Sequence, residues 1–167
     1  AKSLLGAGAR ALLERGFALD GRAIDAAHMD GLYRDFLDHY ADHLADGSRL
    51  FDGAEAALRR LKSEGHTLAV CTNKREHLSR RLLQALGIDH YFRAIAGRDT
   101  FAMAKPDPGH LTGTIALAGG NPAHAVMIGD SEVDVRTAKA AGIPIILVSF
   151  GYATERLDGL SPDAMID

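Results

Sequence analysis

The hydrophobic positions change their period near residue 52. Before it, "LLGAGARALLERG" and "AAHMDGLYRDFLDHYADHLAD" set Leu32, Phe36, Leu37, Tyr40 and Leu44 at steps of three and four, the spacing of a helix face. After it, helical stretches alternate with short apolar runs. A helix ends at Gly65, a run spans Thr67 to Cys71, and a second helix follows through "HLSRRLLQALG". Further runs at "RAIAG", "HAVMIGD" and "IPIILVSF" are separated by the helical stretches "GHLTGTIALAG" and "VDVRTAKAAG", and "AMID" reads as a last strand. Gly65 and Gly87 stand where helix C-terminal caps belong. Strands that alternate with helices predict a parallel sheet covered on both faces, an α/β core over residues 53–167 behind a purely helical segment over 1–52.

In such folds reactive groups gather beyond the carboxyl ends of the strands. "LAVCT" ends at Thr72 and Asn73, "RAIAG" leads to Asp99 with Lys105 in the loop beyond it, and "AVMIG" ends at Asp130. The last of these delivers Asp130, Ser131, Glu132 and Asp134 within five positions. Carboxylates at the end of a buried strand need a positive partner. A basic side chain and Mg²⁺ both qualify, and Mg²⁺ takes one or two carboxylates together with phosphate oxygens and water. For a phosphoryl ligand, Thr72 and nearby backbone N–H groups would donate to its oxygens, Lys105 would offset its charge, and a metal on Asp130 would bridge to it. Simpler readings stand beside these. Thr72 and Asn73 are also residues that cap a helix starting near Arg75, Lys105 has the composition of a surface lysine, and Asp134 suits a first helical turn.

Composition changes this picture little. The 167 residues suffice for one ordinary domain, with 47% hydrophobic and 25% charged residues, as in a soluble globular protein. A net charge of −3 and a pI near 6.2 argue against a nucleic-acid partner. The single Cys71 excludes an intramolecular disulfide, fits a reducing, cytoplasmic setting and suits a small buried side chain better than a nucleophile. No run reaches the ~20 apolar residues of a membrane span. "GAGARA", residues 6–11, imitates a dinucleotide loop without a preceding strand, and His39 and His43 lack the Glu and third ligand of a zinc site.

Taken in order, "LAVCTNK", "AKPDP" and "VMIGDSEVDVRTAKAAG" resemble the second, third and fourth motifs of the haloacid dehalogenase superfamily, and the likeness runs on through "AGRDTFAMAKPDPGHL" and "SFGY". Within it the chain is most similar to phosphoglycolate phosphatases, whose small helical cap matches "GAGARALLERG" and "FLDHYADH". The resemblance implies a Rossmann-like core over 53–167 with a cap over 1–52, hinged near Ala1 and Gly53. It also implies a Mg²⁺-dependent phosphate monoester hydrolase working through a phosphoaspartyl intermediate on a small phosphorylated metabolite. It assigns Thr72 to the phosphoryl group, Asn73 to orientation, Lys105 to charge stabilisation, Asp130 to the metal, and Asp134 to the metal directly or through water. A sugar phosphomutase and a non-catalytic phosphate-binding relative share these motifs; a true dehalogenase is disfavoured by the Gly129-Asp130 pair.

The family's nucleophile motif, Asp-x-Asp-Gly after an apolar run, has no match. "FALDG" carries Ala18 at the nucleophile position and "LFDG" carries Leu50. The resemblance puts the strand bearing that motif between those ending at Thr72 and Asp130, and its loss leaves two unpaired inner edges. The chain reads as a fragment lacking that segment; a strand supplied by another chain and a sheet that has closed up are the alternatives, and the chain as given is expected to turn over no phosphate ester.

Overall fold

A computed structural model of the chain describes residues 9–151 and 159–167. The hinge expected near Ala1, residues 6–8 of "GAGARA" and Tyr152 of "SFGY" lie outside the described residues.

Two helices come first, α1 (Ala9–Leu19) and α2 (Ala26–Asp42). Asp25 starts α2, its carboxylate accepting the His28 N–H at 2.9 Å, a standard way of satisfying an orphan donor of the first turn. Arg10 bridges the pair, reaching Asp30 at 2.6 Å. The helix face read from the sequence stops sooner than its pattern. The chain turns after Asp42, so Leu44 is buried by the turn rather than by the helix, and Leu32 is largely exposed. Local hydrogen bonds explain the stop, because the Ser48 N–H bonds the Ala45 carbonyl and Asp46 meets the His43 ring at 2.7 Å.

From there strands and helices alternate: α3 (Ala54–Ser63), β1 (Leu68–Cys71), α4 (Glu76–Ala85), β2 (Phe92–Ala96), α5 (Pro108–Leu117), β3 (Met127–Gly129), α6 (Glu132–Ala141), β4 (Ile145–Val148) and β5 (Ala164–Ile166). Gly65 and Gly87 both follow helix ends with φ of 87° and 73°, the left-handed conformation that glycine adopts without strain.

All strand pairs among the described residues are parallel, as the alternation predicts, and they form two sheets that divide at the two inner edges expected beside Thr72 and Asp130. β1 pairs with β2, with Cys71 opposite Ala96; β4 sits between β3 and β5, with Gly129 opposite Leu147 and Leu147 opposite Met165. The reason for the division is topological: among the described residues no strand pairs with the outer edge of β1 or of β3. Cover is also incomplete. Val126 and Ile128 are each 54% exposed, so one face of β3 stands open where both were expected to be buried.

The helices join what the strands leave apart. α5 packs on β1 and β2 and against α6, which packs in turn on β3 and β4. Leu111 of α5 and Val135 and Ala138 of α6 bury with Met127, Ile143, Ile145 and Leu147, and Cys71 of β1 borders the same cluster. Ile145 and Leu147 are fully buried on alternate positions of β4, as a half-covered strand requires. Truncating this centre, Leu147→Ala, should lower the unfolding free energy by about 2–5 kcal/mol, measured by equilibrium denaturation; a change below 1 kcal/mol would show that the cluster is not the core.

Candidate active site

The carboxyl ends of β1 and β3, and the loop from β2 to α5, bring the expected residues to one edge. Thr72 follows β1, where its N–H bonds the Ala96 carbonyl at 3.0 Å and its Oγ1 accepts the Lys74 N–H at 3.1 Å. Thr72 therefore shapes its own turn and does not cap α4. That helix begins at Arg75 with no side-chain cap of its own, and the Glu76 N–H is taken instead by Asp99 Oδ1 at 2.8 Å from the loop after β2. The two segments touch so closely that a β-carbon on Gly97 would stand 2.2 Å from the Glu76 nitrogen. Thr100 donates to the Glu76 carboxylate, which this bond and Arg80 hold below the usual glutamate range.

Lys105 is no surface lysine. Its ammonium lies 2.6 Å from Asp134 Oδ1, with side-chain exposures of 11% and 6%. Its backbone is held too: its N–H goes to His110 Nδ1 at 3.1 Å, and its carbonyl receives Asn73 Nδ2 at 3.0 Å. Asn73 thus orients Lys105, while its Oδ1 is buried with no hydrogen-bond partner. A buried acceptor left open at the edge of such a site suits a donor brought by a ligand.

Asp134 combines two roles. Its Oδ2 accepts the Ser131 hydroxyl at 2.6 Å and the N–H groups of Asp130 and Ser131 at 3.2 Å each, while its own N–H faces Ser131 Oγ at 3.3 Å. This is a capping box for α6, so the simple helix-start reading of Asp134 is met, and the Lys105 pair is added to it. Gly129 makes room, because a β-carbon there would fall 2.5 Å from Asp134 Cβ.

Asp130 is half-buried at the end of β3, and Gly151 lies against it: a β-carbon on Gly151 would stand 2.2 Å from Asp130 Cβ. The donor chemistry fits a hard cation in part. Asp130 places a carboxylate at this edge, and both oxygens of Asp134 are engaged by Lys105 and the β3–α6 turn. No group of three or more His, Cys, Asp or Glu side chains converges among the described residues. Cys71, beside Lys105 and Asp134, has its thiol pushed up by burial, in keeping with a structural role. His39 and His43 stand with their rings 4.5 Å apart, both exposed.

Sequence reasoning brought Asp99 and Ser131 to this edge without giving either a role, and it gave none to His110 or Gly151. The Ser131-to-Asp134 spacing was a legible capping signal; the others act across the fold and leave no local pattern.

A model of the haloacid dehalogenase-like hydrolases matches residues 19–148. The chain belongs to that family. A curated phosphoglycolate phosphatase of Mesorhizobium japonicum is 47% identical over 165 residues, covering 99% of this chain and 73% of the relative; one of Caulobacter vibrioides is 45% identical over 163 residues, covering 98% and 69%. A crystal structure from Haemophilus somnus 129PT, described as a predicted phosphoglycolate phosphatase, superimposes with a TM-score of 0.91 at 27% identity over 99% of this chain and 76% of its own. In this haloacid dehalogenase-like hydrolase, Asp134→Asn should leave the Lys105 ammonium buried without its countercharge and destabilise the fold by about 3–5 kcal/mol. Equilibrium denaturation tests this, and a cost under 1 kcal/mol would show that the pair is solvated in solution.

Proposed function

We propose that the chain carries most of a phosphate monoester hydrolase that acts on phosphoglycolate, with residues 53–167 as its core and residues 1–52 as a cap. One observation carries the reading: Thr72, Asn73, Lys105 and Asp130, from three separate strand ends, stand together at one edge in a chain 47% identical to a phosphoglycolate phosphatase.

The chemistry follows from the contacts. Thr72 Oγ1 already accepts the Lys74 N–H, which leaves its hydroxyl proton to be given to a phosphoryl oxygen. Lys105 is held at three points, its N–H, its carbonyl and its ammonium, so its charge meets the developing negative charge of the phosphoryl group without reorganising. Asp130 would hold Mg²⁺, which supplies further charge neutralisation when bound. Asp134 acts here by fixing Lys105 and the β3–α6 turn, so its support of the metal is indirect.

Nucleophilic attack requires an aspartate on a strand between β1 and β3. Among the described residues the facing edges of those strands have no partner strand, which favours such a strand, and the fragment reading places it upstream of residue 1. Two contacts support closure of the cap over this edge: Lys74 meets the hydroxyl and ring of Tyr40, and Arg75 lies 5.9 Å over the ring of Tyr33, both on α2. Gly53, at a φ of 79° where α3 begins, suits the hinge between the parts.

Joining a strand with Asp-x-Asp-Gly ahead of residue 1 should therefore yield Mg²⁺-dependent phosphate release from phosphoglycolate, while the 167-residue chain releases none. In the joined protein Lys105→Ala should cost on the order of 10²-fold or more in kcat, and Asp130→Asn should lower activity and raise the Mg²⁺ requirement. Mg²⁺-dependent turnover by the 167-residue chain would overturn the missing-nucleophile reading, and full activity of Asp130→Asn would overturn the metal assignment.

A further inference from the structure

His110 enters the mechanism just described only as the acceptor of the Lys105 N–H, yet it is fully buried and polar. It lies in the first turn of α5, where Asp107 caps the helix through the Gly109 N–H at 2.8 Å. Its Nδ1 accepts the Lys105 N–H at 3.1 Å, which requires that nitrogen to be unprotonated and puts the ring proton on Nε2. Nε2 has no well-formed partner of its own, although the backbone at Ala96 and Gly97, the end of β2, acts on the ring. Phe101 closes the pocket with its ring at 73° to the imidazole and 5.9 Å away, and Gly113 makes space for Phe101, since a β-carbon there would lie 3.0 Å from its ring. The imidazole therefore holds the Lys105 end of the loop that leaves β2.

We infer that His110 is a positioning residue that sets the backbone of Lys105 and, through it, the aim of the ammonium, and that protonation of His110 releases it. The inference rests on the reading of Lys105 as the charge-stabilising group of a phosphatase. A proton on Nδ1 would turn the acceptor into a second donor facing the Lys105 N–H, and the bond would be lost. Lys105 is the charged side chain acting on the ring; Asp134 on α6 and the Cys71 thiol on β1 are coupled to Lys105, and Asp107 is committed to its cap.

Burial, and after it the Lys105 charge, push the His110 imidazole below its usual value. As pH falls, the unfolded chain therefore takes up this proton before the folded one does. The contribution of neutral His110 to stability is present above the ordinary imidazole range and is lost as pH falls through it. Activity should fall later, on the more acidic side of that range, where the folded protein itself takes the proton.

Two substitutions separate positioning from mere packing. His110→Asn keeps an acceptor at the place of Nδ1 and cannot titrate; His110→Leu keeps the bulk and removes the acceptor. In ¹⁵N-labelled chain the His110 ring should show the Nε2–H tautomer at neutral pH, and the Lys105 amide resonance should move with its titration. In the joined, hydrolytically active protein, His110→Leu should lower kcat by about 10-fold to 10²-fold with KM for phosphoglycolate changed less than about 3-fold. His110→Asn should recover most of kcat and flatten the acid limb of the pH profile. A Lys105 amide that ignores the His110 titration overturns the inference, and so does a His110→Leu protein with unchanged kcat. If instead Lys105→Ala hydrolyses phosphoglycolate at the full rate while the amide still follows the ring, the phosphatase role of Lys105 falls and the structural coupling stands.

Discussion

The ion pair between Lys105 and Asp134 joins two sheets that share no strand. Lys105 belongs to the loop that leaves β2, and Asp134 to the helix that follows β3, so the bond links one sheet to the other. A pair this buried returns little net stability, because desolvating both charges costs nearly what their attraction provides. Its value lies in geometry. Once the charges are enclosed, neither can move without leaving the other unpaired, and the surrounding bonds from Ser131, His110 and Asn73 fix the remaining degrees of freedom.

The glycines around the pair serve the same end. Gly129 lets the Asp134 carboxylate lie beneath the end of its strand, Gly151 lets the next loop close against Asp130, and Gly97 lets the β2 loop press on the first turn of α4. At each of these places the backbone approaches within the space a methyl group would need. Tight packing of main chain to side chain holds carboxylates and ammonium at fixed separations where a looser loop would let them solvate.

Much of this was legible in the sequence because it is local. The alternation of helices and short apolar runs gave the order of elements, Gly65 and Gly87 marked helix ends, and the position of Thr72, Lys105 and Asp130 after strands located the edge where they meet. What the sequence did not reveal depends on distant partners. Asp99 caps a helix that starts 23 residues earlier, and His110 reaches back to a loop rather than lining a helix face. The division into two sheets falls between β1 and β3, where the unmatched nucleophile motif had already marked two inner edges. Leu44 fitted the helical period and yet lies past the end of α2, where turn hydrogen bonds outweighed a hydrophobic spacing.

The division into two sheets also bears on how the chain reaches this structure. β1–α4–β2 and β3–α6–β4 each close a parallel pair within a short stretch of sequence, so each can form from contacts near in the chain, which is the fast part of folding. α5 lies between them in sequence and in space, packing on the first unit and against α6 of the second. The two units are joined by the packing of α5 and by the Lys105–Asp134 pair, so their cooperativity depends in part on the docking of that helix. Loosening of α5 would remove packing that joins the two units while leaving both sets of strands paired.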